Sequence, residues 1–317
     1  MAGSRALGSL GTEHHGGKIP PGIEGRSFAI PGPVGSASWN QVECAADEYK
    51  APPTAQGQAE ELVREFATRP GAGVFSRIAR SKVAEGLLVR VYDPSAINQT
   101  VSSLCGPAAL LFDVATRDPM TYARYVISLY ETGVGHIREI TVTPGSDLKG
   151  YDPGQKVEAS DWIALASLRD SENYFFDYQD ASDEFAGITL PGELEDWFRK
   201  VGYADVVNDA RVLVDEEEAN IVRADALFQR GYRVCLFIHG NMLEKSTEST
   251  GSVTPNHWVV LTSSVSFGVI PEGTGMVKTI SMRIYTWGKG RRLVPLTGFL
   301  KLDDFLDNYY GFVAAKY

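Results

Sequence analysis

The 317-residue chain is 44% hydrophobic and 10% aromatic, enough apolar surface for a folded core, and its formal charge of -10 with a pI near 5.1 speaks against a nucleic-acid or anionic-membrane partner. Three cysteines, Cys44, Cys105 and Cys235, are too few for a disulfide framework and fit no zinc spacing, so neither a metal nor a cofactor is expected. No run of about 18 apolar residues is present to span a membrane, and the N-terminus lacks the apolar core of a secretory signal. The expectation is a protein made in a reducing cytoplasm and, if it acts elsewhere, carried out by a machine that ignores signal peptides.

Residues 1 to about 57 are rich in Gly, Pro, Ser and Ala and read as an irregular arm, solvated or held by a secretion partner. From Gln58, AEELVREFATR predicts an amphipathic helix ended by Pro70-Gly71, and GLLVRVY (Gly86 to Tyr92) predicts a strand. The stretch NQTVSSLCGPAALLF (Asn98 to Phe112) puts Cys105 at the start of a helix, with Pro107 in its first turn, where a missing N–H costs no intrahelical bond. Asp118-Pro119 opens the next helix, MTYARYVISLYETG, with Gly133 as its stop. ASDWIALASLRDSE follows, capped by Ser160 or Asp161, and LPGELEDWFRKVGY has a Pro-initiated, Gly-terminated helical signature. The acidic run Asp215-Glu216-Glu217-Glu218 reads as the solvated start of a further helix. Asp170, Asp177, Asp180 and Asp183 lack the spacing of a calcium loop.

The chain then changes character. RVCLFIHG, HWVVLTSSV, VKTISMRIYTWG and RRLVPLTGFLKL are apolar and β-branched runs separated by Gly, Pro, Asn and Ser, the pattern of successive strands. The segments 241–256 and 265–278 read as long loops, and LDDFLDNYYGFVAA as a closing helix. Helices first and strands afterwards predict an α+β fold: a helical lobe at about 58–230 packed on an antiparallel sheet or half-barrel at about 231–317.

Cys105 carries the chemistry if any residue does. The unshielded N–H groups at a helix start favour a thiolate, and a thiol nucleophile also needs a base within reach. Of five histidines, His14 and His15 lie in the arm, His136 follows a helix stop, and His239 ends a strand. His257 begins the strand in PNHWVVLTS, on a rigid element from which its ring can reach a cleft, and is the first choice, with His239 in reserve.

The order Asn98-Gln99, Cys105 opening a helix, His257 opening a strand, and Tyr285-Thr286-Trp287-Gly288 closing a later strand resembles the papain-like cysteine peptidases. Gln99 precedes the cysteine by six residues, as in that family, and His257 follows Cys105 by 152, near the roughly 130–150 of papain-type enzymes. With Gly106-Pro107 after the cysteine, LCGPAAL is most similar in flavour to C39-like peptidases and the papain-like domains of bacterial toxins and effectors.

The resemblance implies a papain-like fold and a role for each matched residue. Cys105 is the nucleophile, His257 the base, and Gln99 the side-chain donor to the oxyanion beside the N–H of Cys105. Trp287 shields the histidine's outer hydrogen bond, and Trp287 and Gly106 lie at the substrate face. Tyr285 stands where the family has the asparagine that orients the histidine; Thr286 and Asn256 are alternatives for that role, and a Cys-His dyad is another. The implied activity is hydrolysis of amide bonds through an acyl-enzyme, acting on a protein or peptide, including a peptidoglycan peptide, by a bacterial effector or toxin with an immunity partner. Glutamine deamidation and acyl transfer share the same acyl-enzyme. A binding module with a decayed triad, in which Cys105 is packed core as Cys235 is read to be, is the alternative from another class.

Overall fold

A computed structural model describes residues 53–99, 104–154, 156–172, 188–211, 217–243, 256–286 and 291–317, all within one compact unit. Cys44, His14, His15, Asp177, Asp180, Asp183, Asp215, Glu216 and Trp287 lie outside the described residues.

The first helix, α1, runs Pro53–Thr68 and buries Ala59, Val63 and Phe66 along one stripe. It opens inside the segment read as arm. α2 spans Arg80–Tyr92, so GLLVRVY is helix and not strand. Taken from Arg80 onward, Val83, Leu87 and Val91 recur every four residues and are fully buried, a helical period that a seven-residue window is too short to display.

α3 is Cys105–Arg117 and α4 is Pro119–Thr132, the latter capped by the Asp118 carboxylate, which accepts from Thr121 N at 2.9 Å. A small hairpin, β1 Gly135–Ile137 and β2 Ile140–Val142, follows. After a short helical turn, Ser146–Gly150, the next helical stretch starts at Ala159, with Glu158 accepting from Ser160 N, so the cap is Glu158 rather than Ser160 or Asp161. It continues through a π-helical turn, Trp162–Ala166, to Ser167–Glu172. α5 is Pro191–Lys200 and α6 is Glu218–Gln229, whose cap position is Glu217.

The main sheet has eight strands, and every described pairing in it is antiparallel: β3 Asp205–Ala210, β10 Tyr309–Lys316, β4 Arg233–Ile238, β5 His257–Leu261, β7 Gly275–Tyr285 and β6 Ser266–Glu272 in spatial order, with β8 Arg291–Val294 and β9 Leu300–Lys301 also on β7. The architecture is therefore α+β with an antiparallel sheet. Three expectations change. Segment 265–278 is mostly the β6–β7 hairpin. The closing helix is a five-residue turn, Leu302–Leu306, followed by the interior strand β10, which is buried on both faces and so shows no alternation to read. β3 and α6 also belong with the sheet, although both precede residue 231.

Strand alternation divides the core in two. Cys235, Phe237, Trp258, Val260 and Tyr285 face the helical lobe, and α3 lies among them. Leu236, Ile238, Val259, Leu261 and Ile284 face the other way, onto Ile221, Ala224 and Phe228 of α6. The sheet is thus a middle layer, and α3 runs through the larger of the two cores.

Candidate active site

The residues of α3 from Cys105 to Thr116 are all buried and, Asp113 and Thr116 apart, apolar or small, as a central helix requires. Its cap residue Leu104 supplies no side-chain acceptor, so the first-turn N–H groups keep their potential for another acceptor. The Cys105 sulfur stands at that helix start. Burial pushes the Cys105 thiol above its ordinary range; the nearby backbone N–H groups of Trp258, Gly106 and Cys105 itself, together with the Arg169 charge, favour the thiolate and offset part of that rise. Trp258 is the residue after His257, so the helix start and the strand start meet at the sulfur. Among the described residues β5 pairs with β7 at Val260↔Tyr285 and Leu261↔Ile284, beyond which the start of β5 lies beside α3.

His257 is 3% exposed, as is Cys105, and burial alone holds its imidazole down to about 3, so it is neutral at ordinary pH. Its Nε2 lies 2.7 Å from Thr286 Oγ1. The residue that orients the ring is therefore Thr286, not Tyr285. Successive residues of a strand point to opposite faces, and Tyr285 points into the helical lobe. There its ring stacks on Phe112 of α3, with centroids 4.1 Å apart, and its hydroxyl donates to the Ile97 carbonyl at 2.7 Å. Asn256 Oδ1 is taken by Gly240 N at 2.7 Å.

Gln99 is buried and follows directly on Ile97-Asn98, the segment that Tyr285 holds. Gly106 does not present a substrate face. A Cβ there would sit 2.1 Å from Thr189 Oγ1 and 2.4 Å from Thr189 Cβ, so the absent side chain lets the segment 188–190 lie directly on the first turn of α3. Trp258 fastens that strap, its Nε1 donating to Thr189 O at 2.8 Å, and Arg169 reaches Ile188 O at 3.4 Å. Thr189 and Arg169 thus stand at the Cys105 end and Thr286 at His257; Thr189 has no sequence signal, and that of Thr286 is its place in the Tyr-Thr-Trp-Gly run. The sequence signal of Arg169, which is 3% exposed, is a charge directly after the run WIALASL.

The remaining candidates stand apart. His239 is 8% exposed, and burial holds its ring below the usual range. His136 is exposed on β1, near Thr141. Cys235 is fully buried in β4, where burial raises its thiol. Asp170 accepts from Gly145 N at 2.7 Å. Among the described residues, no three His, Cys, Asp or Glu side chains gather as metal ligands, and no helix is long and apolar enough to cross a membrane. No protein-family model matches the chain, and no curated protein sequence matches it significantly.

Proposed function

We propose that the chain is a papain-like cysteine hydrolase of amide bonds, with Cys105 as nucleophile and His257 as base. The observation that carries this reading is the meeting of two distant segments: the buried sulfur at the first residue of α3 lies beside the start of β5, where the backbone N–H groups of Trp258, Gly106 and Cys105 favour its thiolate form. A cysteine that was only core filler would need no such convergence of donors.

With Nε2 engaged by Thr286, Nδ1 is the nitrogen that exchanges a proton with sulfur. The thiol proton passes to Nδ1, Sγ bonds to the substrate carbonyl carbon, and the carbonyl π pair moves onto oxygen. The oxyanion is met by the Gln99 side-chain amide and the Cys105 N–H, each such donor supplying about 3 kcal/mol of transition-state stabilisation. Collapse breaks the C–N bond, the amine leaves with the imidazolium proton, and water then releases the acyl group and restores the thiol. A threonine hydroxyl orients the ring without the charge of a carboxylate, so the imidazolium is stabilised less than in a charged triad. Because the strap at Thr189 covers Gly106, attack requires its withdrawal from the helix start.

The acceptor decides between hydrolysis, glutamine deamidation and acyl transfer. The resemblance to toxin-borne domains extends the proposal to a bacterial effector exported without a signal peptide, with a protein or peptidoglycan peptide as substrate and an immunity protein as partner. Expressing the intact chain and Cys105→Ala in bacterial cytoplasm and periplasm tests this: growth arrest by the intact chain alone supports it, and equal harmlessness opposes it. Mass spectrometry of fluorogenic peptide pools and muropeptides then separates chain cleavage from deamidation. Pools turned over equally by both chains would exclude the thiol mechanism.

The second reading, a binding module with an idle pair, is favoured by one observation: Cys105 and His257 are each only 3% exposed and are held neutral by burial. Under that reading iodoacetamide leaves Cys105 unmodified in the folded protein, even when Thr189→Gly removes the covering side chain.

A further inference from the structure

A buried ion pair lies on the side of the core where the catalytic reading has no charged residue. Arg90 of α2 meets Asp161 in a two-pronged contact, Nε to Oδ1 at 2.6 Å and Nη2 to Oδ2 at 2.5 Å, with the two residues 5% and 0% exposed. Stability does not account for it. Desolvating two charges consumes most of what their attraction returns, and apolar side chains of the same volume fill such a site as well or better.

What an apolar pair cannot do is accept a main-chain hydrogen bond. Asp161 Oδ2 accepts from Asn98 N at 2.9 Å. From the sheet side, the Tyr285 hydroxyl donates to Ile97 O at 2.7 Å, while its ring is fixed by stacking on Phe112, in the same helix as Cys105. The segment immediately before Gln99 is therefore gripped at a carbonyl by the sheet and at an N–H by the helical lobe.

The lobe is built to bring Asp161 to this spot. Arg90 Nη1 donates to Gly86 O at 3.0 Å. A Cβ on Gly86 would lie 2.5 Å from both Glu158 carboxylate oxygens and from Ser160 Oγ. A glycine inside a helix costs about 1 kcal/mol against alanine; here it lets residues 158–161 close on α2.

We infer that Arg90, Asp161 and Tyr285 are positioning residues: together they clamp the main chain of Ile97-Asn98 and so hold the Gln99 amide where it meets the oxyanion formed at Cys105. This rests on the thiol-hydrolase reading and adds to it residues that touch no substrate. Gln99 works in the transition state, so loosening the clamp slows carbonyl attack while sparing reactions of the thiol that develop no oxyanion.

Two small reagents separate these cases on the full-length protein. With iodoacetamide, Sγ bonds to a saturated carbon, iodide leaves and the thiol proton goes to the imidazole; no oxyanion forms. With p-nitrophenyl acetate, Sγ adds to the carbonyl, the tetrahedral oxyanion collapses, p-nitrophenolate leaves and Cys105 becomes an acetyl thioester. Peptide mapping by mass spectrometry assigns each modification to Cys105, and the readout is the ratio of ester to iodoacetamide rate constants.

Gln99→Ala should lower this ratio by about 10²–10³-fold, the value of one oxyanion donor. Tyr285→Phe, which keeps the stacked ring, and Asp161→Asn should each lower it at least about tenfold, and Tyr285→Phe should add little in the Gln99→Ala background, because both act through one group. If Asp161→Asn does not fold, Tyr285→Phe alone carries the test. A ratio that falls for Gln99→Ala but holds for Tyr285→Phe overturns the clamp and leaves the hydrolase reading standing. A wild-type Cys105 that iodoacetamide marks and the ester never acylates overturns the hydrolase reading, and the clamp with it.

Discussion

Cys105 and Cys235 occupy the same core, one at the start of α3 and one within β4, and each has its thiol closed off from solvent. Burial raises both. Cys235 sits in a strand whose peptide groups are committed to β5 and β10, and the charges near it, Arg233 and Asp113, oppose one another. At Cys105 three backbone N–H groups and the Arg169 charge all favour the anion. The contrast teaches that two equally buried thiols can differ in the dipoles around them: the start of α3 and Trp258 at the start of β5 turn N–H groups toward Cys105 that favour its anion.

The comparison breaks most sharply at the sulfur itself. Cys105→Ala should abolish ester turnover, a loss on the order of 10⁴-fold or more for removal of a nucleophile, whereas Cys235→Ala should leave it intact; equal rates for the two variants, measured by p-nitrophenolate release, would reverse the assignment. The next largest effect concerns the buried pair. Asp161→Asn leaves the buried Arg90 charge with only the partly exposed Glu158 carboxylate, 3.5 Å from Nη2, and should cost about 3 kcal/mol in denaturant unfolding. The double change Arg90→Met with Asp161→Leu should recover most of that stability without recovering the ester-to-iodoacetamide ratio, which separates folding from positioning.

Gly106→Ala drives a methyl group into Thr189 and should cost about 1–3 kcal/mol, the usual range for an overpacked core. Adding Thr189→Gly should return part of it and speed iodoacetamide labelling of Cys105 but not of Cys235; parallel acceleration at both cysteines would mean general loosening. His257 provides the pH test. Burial depresses its imidazole to about 3 against an ordinary 6.5, so as pH falls below about 6.5 the unfolded chain takes the proton first. The contribution is complete above that pH and declines toward pH 3, with a slope of up to about 1.4 kcal/mol per pH unit, so melting temperatures of His257→Gln should fall less steeply with acid. The smallest change is Cys235→Ala, about 1 kcal/mol of stability, with no change in the pH profile.

Legibility differed from residue to residue for physical reasons. Cys105 at a helix start and His257 at a strand start were readable because their signals are local: Pro107 two residues on, and Asn256 one residue before an apolar run. The role of Tyr285 was not readable, since it turns on which face of β7 each side chain meets. Arg90 and Asp161 carried a legible warning, a charge inside GLLVRVY and another inside ASDWIALA, but nothing local pairs two residues 71 apart. The strand β10 shows no strand period in the sequence because a segment buried on both faces has no polar side to give one.

By itself the chain's sequence determined the order of the chemical groups and the ends of the elements that bear them, because a helix start or a strand start depends on caps, prolines and apolar spacing within a few residues. Only the tertiary structure decided which N–H groups turn toward the sulfur, that Thr286 rather than Tyr285 holds the imidazole, and that Thr189 lies over Gly106. Those outcomes arise where segments far apart along the chain pack together, and packing is a property of surfaces that no single stretch of residues contains.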